Sequence, residues 1–245
     1  MLQKIPHIAF AGHGPIQILY PGASTGNTDT GIGSIGRIDH AFFKGRQRIN
    51  MHPHVNDEIL SYFRSGKVHH TDSEGFHATI GGKHLMLMKA GKLFYHEEDI
   101  DGEAEPQEGL QIFIRPGEKD LKPEVIFQEL EEFYSDDKWR LLASPTSQTA
   151  FRFSSQTWLY DVKLSAGSII APPEMPGKDL TALLYVYQGA VTVNQISLGK
   201  QEALLFRDEE ISIQTEGGAE LVLFLTDEEK PIYKDGMFSG NKFHS

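Results

Sequence analysis

Two short segments carry potential ligands at a spacing of two: Met51-His52-Pro53-His54, and Tyr95-His96-Glu97-Glu98. In an extended strand residues i and i+2 point to the same face, so His52 and His54 present two imidazoles side by side, and His96 and Glu98 add an imidazole and a carboxylate. If the two strands are neighbours, three nitrogens and one oxygen converge on a single ion. That donor set suits iron, manganese, nickel or copper, with zinc also open, and an octahedral ion so held keeps two positions for substrate or dioxygen. One His-x-His is a weak signal; two period-2 pairs of potential ligands within one β domain are a stronger one.

The composition narrows the chemistry further. The chain has 245 residues, no cysteine, 11 histidines, and 23 basic against 34 acidic side chains, a formal net charge of −11. Without cysteine there is no thiol nucleophile, disulfide, iron–sulfur cluster or thiolate-bound zinc, so any metal sits on nitrogen and oxygen. The acidic excess repels a polyanion, which argues against direct nucleic-acid binding. No apolar run is long enough to span a bilayer, and the first residues lack a secretory pattern, so the expected location is the cytoplasm.

The elements that must position these ligands read as mostly β. Short apolar runs bounded by turn residues are expected as strands at 59–63, 67–70, 77–80, 84–88 and 110–114, with turns at Ser65-Gly66, Asp72–Gly75 and Gly81-Gly82. A second series is expected at 157–164, 181–187, 190–196, 203–207, 211–214 and 220–225, with turns at Gly167, Gly189, Gly199 and Gly217-Gly218. The expected division is an N-terminal metal-binding domain over 1–120, a connector over 121–145 and a C-terminal domain over 146–245. Within the connector the spacing of Phe127, Leu130 and Phe133-Tyr134 suggests one short helix. The Gly- and Thr-rich first 30 residues read as surface loops or a lid.

The stretch HPHVNDEILSYFRSGKVHHTDSEG, followed by AGKLFYHEE and EGLQIFIRP, resembles the pirin family of the cupin superfamily. The similarity is densest from about residue 36 to 116 and continues more faintly through the second series. It implies a bicupin: two cupin-type β-barrels, the first holding one metal, usually taken as iron, and the second holding none. Carried over position by position, it implies His52, His54, His96 and Glu98 as ligands, the same quartet that strand alternation suggests. Several bacterial members cleave the flavonol quercetin with dioxygen, whereas animal members are described as nuclear, iron-dependent cofactors of transcription factors. The resemblance implies fold and metal more directly than either activity.

Two functions are therefore carried forward. The first is a metal-dependent dioxygenase acting on a small aromatic enol such as quercetin, with Glu98 or Glu58 as general base and Gln111, Phe42 and Phe94 lining the substrate pocket. The alternative is a redox-responsive binding or regulatory protein without turnover, which offers a protein partner a surface that changes with the metal's oxidation state, near the basic loop at Arg46 and Arg48. Glu58 is also a candidate outer acceptor for a ligand imidazole. His69, His70, His77 and His84 are read as turn and surface residues.

Overall fold

The computed structural model describes residues 1–243, and almost all of its regular structure is strand. The chain divides into two compact units, Phe10–Phe133 with Pro231–Ser245, and Met1–Ala9 with Tyr134–Lys230. Its first strand, β1 (Leu2–Ile5), belongs to the latter unit.

The unit carrying the histidine pairs contains β2 (Ala11–His13), β3 (Ile16–Leu19), the single helical turn α1 (Pro21–Ser24), β4 (Ile35–Phe43), β5 (Gln47–His54), β6 (Glu58–Ser65), β7 (Lys67–Asp72), β8 (His77–Gly81), β9 (His84–Lys89), β10 (Phe94–Asp101), β11 (Gln107–Ile114) and β12 (Glu124–Glu129). A four-stranded sheet runs β5-β10-β7-β8, and a seven-stranded sheet runs β12-β9-β6-β11-β4-β3-β2. One apolar core joins them: Phe43, Ile59, Phe63, Met86 and Phe113 from the larger sheet meet Val68, Ile80, Phe94 and Ile100 from the smaller. This is the two-sheet arrangement of a cupin-like jelly roll.

The expected strands of this region are present, each extended by a residue or more. Their turns have local causes. The Asp72 carboxylate, for example, accepts the backbone N–H groups of Glu74 and Phe76 and so closes the β7–β8 hairpin. Three expectations are corrected. Residues 124–129 form β12, paired with β9, and not a helix, because Val125 packs into the core while its neighbours alternate outward. The first 30 residues contain β1, β2, β3 and α1, so they are largely ordered sheet edge and not a lid. His70 is fully buried on β7, whereas His69, His77 and His84 are exposed as expected.

The other unit adds β13 (Arg140–Ser144), β14 (Phe151–Arg152), β15 (Thr157–Leu164), β16 (Ile169–Ile170), β17 (Thr181–Val193), β18 (Ile196–Gly199), β19 (Ala203–Phe206), β20 (Ile213–Gln214) and β21 (Ala219–Thr226). With β1 they make one ten-stranded sheet around a dense aliphatic core that includes Leu184, Val186, Leu221 and Leu223. Gly189, expected as a turn, instead lies inside the long β17. Its φ of +79° and the register shift between Val186 and Gln188 bend that strand without ending it. Among the described residues no helix is long and apolar enough to cross a membrane.

Candidate metal centre

β5 and β10 are antiparallel neighbours, and the register sets His52 directly opposite His96. Alternation turns His52 and His54 to one face, so three imidazoles meet between the strands. Their Nε2 atoms form a triangle: 3.1 Å from His52 to His54, 2.9 Å from His54 to His96 and 3.0 Å from His96 to His52. With metal–nitrogen bonds of about 2.1 Å, nitrogens at right angles stand about 3.0 Å apart and tetrahedral nitrogens about 3.4 Å. The observed spacing fits one face of an octahedron, with the opposite face left for other ligands.

The outward sides of the rings fit the same role. His52 Nδ1 lies 2.9 Å from the Asn50 carbonyl oxygen, and His96 Nδ1 lies 3.3 Å from His70 Nδ1, whose ring is bound through Nε2 to the Asp72 carboxylate at 2.8 Å. Assigning the protons to Nδ1 of His52 and His96 and to Nε2 of His70 satisfies every one of these contacts. The Nε2 lone pairs of His52 and His96 then both face His54 Nε2, and with the His54 proton on Nδ1 all three can be given to one cation. Burial, followed by the neighbouring imidazoles of His54, His52 and His70, pushes the His96 pKa down to about 2. Burial also lowers those of His52 and His70, so at neutral pH His52 and His96 are uncharged, as ligands must be.

His70 and Asp72 therefore hold His96 in the tautomer that ligation needs, a role that the reading of His70 as a turn residue missed. The signal was present in the sequence: positions 68, 70 and 72 alternate inward on one strand. A His70→Phe variant is expected to keep its fold and to bind divalent metal ten- to a hundredfold more weakly, since an outer partner of a ligand imidazole is worth about that much. Isothermal titration with the metal checks this, and an unchanged dissociation constant would remove His70 from the centre.

Glu98 sits on the same inward face of β10, fully buried, and its Oε1 accepts the Gln111 amide at 2.8 Å. Among the described residues, the group whose ligand atoms all lie within 4.8 Å of one another comprises the three histidines, without Glu98. The register of β5 against β10 shifts between His96 and Glu98, so the carboxylate aims at a different level of the barrel from the imidazoles. Glu98 and Gln111 border an interior cavity of about 30 Å³ whose wall includes Phe43, Phe63 and Gln107. Phe94 is buried in the core, Phe42 is on the surface beneath Lys44, and Glu58 is buried at the start of β6. Arg46 and Arg48 pair with Asp99 and Glu97 across the outer face of β5 and β10.

Burial raises the Glu98 pKa from 4.5 to about 7, against the opposing pull of the Gln111 amide. The folded chain thus holds this proton more tightly than the unfolded chain. In the metal-free protein the resulting stabilisation is complete below about pH 4.5 and is lost as pH rises through 7. Between pH 5.5 and 8.5 the loss is about 2 kcal/mol at 1.36 kcal/mol per pKa unit. Urea unfolding of the metal-free wild type should show this decline and Glu98→Gln should not; equal pH slopes would contradict it.

Comparison with known proteins agrees with this architecture. Residues 31–114 match the family model Pirin. A quercetin 2,3-dioxygenase of Escherichia coli (strain K12) is 26% identical over 198 residues, covering 79% of this chain and 83% of that protein. A pirin-like protein of Caulobacter vibrioides is 28% identical over 176 residues, covering 70% and 74%. Among solved structures, the bacterial pirin YhhW of Escherichia coli in complex with nickel(II) superposes with a TM-score of 0.79 at 22% identity, over 95% of this chain and 100% of that one.

Proposed function

We propose that this chain, whose residues 31–114 carry the pirin match, is a metal-dependent dioxygenase that opens a small aromatic enol of the quercetin type. The observation that carries the reading is the triangle of Nε2 atoms, which gathers three imidazole nitrogens at the spacing of one octahedral face. The relative in Escherichia coli named for quercetin 2,3-dioxygenase activity supplies the substrate class.

His52, His54 and His96 would hold the ion, with Glu98 as a fourth ligand once its side chain swings from Gln111. A bound divalent metal would supply a Lewis acid for an enol oxygen and open positions for dioxygen. The remaining work falls to residues of the chain. While it stays on Gln111 and off the ion, Glu98 is a carboxyl group with a pKa of about 7, poised both to take and to return a proton near neutral pH. Gln111 Nε2 holds its Oε1 and fixes which oxygen faces the cavity. The apolar wall of Phe43, Ile49, Phe63 and Val68 keeps bulk water from that oxygen.

Protein loaded with iron, manganese or nickel and mixed with quercetin should consume the flavonol in air and not under argon. Stoichiometric metal without oxygen-dependent loss of flavonol rejects the activity and leaves the metal site standing.

A further inference from the structure

The third imidazole differs from the other two. His54 Nδ1 is buried and makes no hydrogen bond among the described residues, and a carboxylate oxygen, Asp57 Oδ2, lies 3.7 Å away. Asp57 is itself almost fully buried and engaged by residues far away in sequence. Its Oδ1 accepts the Ser239 backbone N–H at 2.8 Å and the Ser239 hydroxyl at 2.7 Å, and its Oδ2 accepts the Phe238 N–H at 3.0 Å. A carboxylate offers about four acceptor positions, so one remains on the side of His54.

The same C-terminal segment also touches the ligand ring directly. Phe238 lies 4.9 Å from the His54 ring, centroid to centroid, and 5.5 Å from Phe113, with the Arg37 guanidinium over its face at 5.3 Å. Met237 N–H bonds to the Val55 carbonyl, and Arg115 Nε–H to the Ser239 carbonyl. At Gly236 a Cβ would stand 2.5 Å from the Asn56 carbonyl oxygen and 2.7 Å from Asp57 Oδ1, so the segment approaches the loop after His54 more closely than a side chain would allow.

We propose that Asp57 is the positioning residue for His54, and that residues 236–240 set its aim, so that metal binding and docking of the chain's own C-terminal segment are coupled. Ligation through Nε2 leaves the proton of His54 on Nδ1, buried, and Asp57 Oδ2 is the acceptor at hand. Closing 3.7 Å to a hydrogen bond needs a shift of less than about 1 Å. The segment holds the carboxylate where that shift suffices. By reciprocity, whatever the segment contributes to metal affinity the metal returns to the segment. This inference rests on the metal reading of the histidines and not on turnover.

Cobalt(II) is the probe, because its d–d spectrum reports on the ligand field while competition with a chelator gives its dissociation constant. Asp57→Asn should bind cobalt ten- to a hundredfold more weakly with a shifted d–d band, and Phe238→Leu should weaken it in the same direction. In wild type the Phe238 and Ser239 amides should exchange hydrogen more slowly with cobalt bound than without, a readout that holds even if Asp57→Asn fails to fold. A purely structural Asp57 would lower thermal stability and leave affinity, spectrum and exchange unmoved, which overturns the coupling. A wild-type chain that takes up no cobalt overturns the metal reading and this inference together.

Discussion

Replacing His96 with alanine is expected to abolish stoichiometric metal binding, raising the dissociation constant by more than the roughly hundredfold that loss of an outer partner costs. His96 is the one imidazole contributed by β10, and its Nε2 stands 2.9 and 3.0 Å from those of the other two histidines. Without it the remaining pair, both on β5, spans a single edge of the coordination sphere. The fold should survive: the ring is neutral and its removal leaves no buried charge. Elemental analysis of the purified variant and thermal unfolding of the metal-free protein separate the two effects. Wild-type metal content in His96→Ala would mean that the histidine triangle is not the metal centre, and oxygen-dependent turnover by such a protein would have to arise elsewhere.

The largest expected stability effect lies at a residue with no chemistry to perform. Arg115, at the end of β11, is completely buried. Its Nη1 donates to Asp29 Oδ2 and to the Gly33 carbonyl, each at 3.0 Å, its Nη2 to Asp29 Oδ1, and its Nε to the Ser239 carbonyl at 2.9 Å. Burial alone would raise the Asp29 carboxyl, but its bonds to Arg115 and the Gly31 N–H hold it below the usual carboxylate range. Arg115→Met keeps most of the volume but takes the donor from the Gly33 and Ser239 carbonyls and leaves Asp29 with only Lys234 and the Gly31 N–H, at an expected cost of about 3–5 kcal/mol. Asp29→Asn leaves the fully buried Arg115 guanidinium without its carboxylate and should cost a comparable amount. Urea midpoints of metal-free protein measure both; an Arg115→Met variant as stable as wild type would contradict the ion pair's structural role. The same change unties Ser239, so metal affinity should fall with it.

Much of the centre was legible because strand alternation is a local property. The His52/His54 and His96/Glu98 pairs announce their faces without any knowledge of the fold, and turn residues such as Ser65-Gly66 and Asp72–Gly75 mark the hairpins between them. Residues that failed to announce themselves are those whose role depends on a partner distant in sequence. His70 looked like one of several clustered histidines until its position on β7 turned it inward against His96. Phe127 and Leu130 have helical spacing, yet β9 offers a strand edge, and the backbone bonds of that edge outweigh a weak periodic preference.

By itself, then, the sequence determined the kind of chemistry and the faces that carry it: no thiols, nitrogen and oxygen donors in period-2 pairs, and mostly β elements with their turns in place. Only the tertiary structure decided which faces meet and how they are held. The register of β5 on β10 brought His52 opposite His96, its shift before Glu98 carried that carboxylate toward Gln111, and the return of residues 236–240 placed Asp57 between the tail and His54. The physical reason is one of range. Side-chain direction follows from the dihedral angles of neighbouring residues, whereas contact between positions 54 and 238 follows from how the whole unit packs its core and satisfies its buried polar groups.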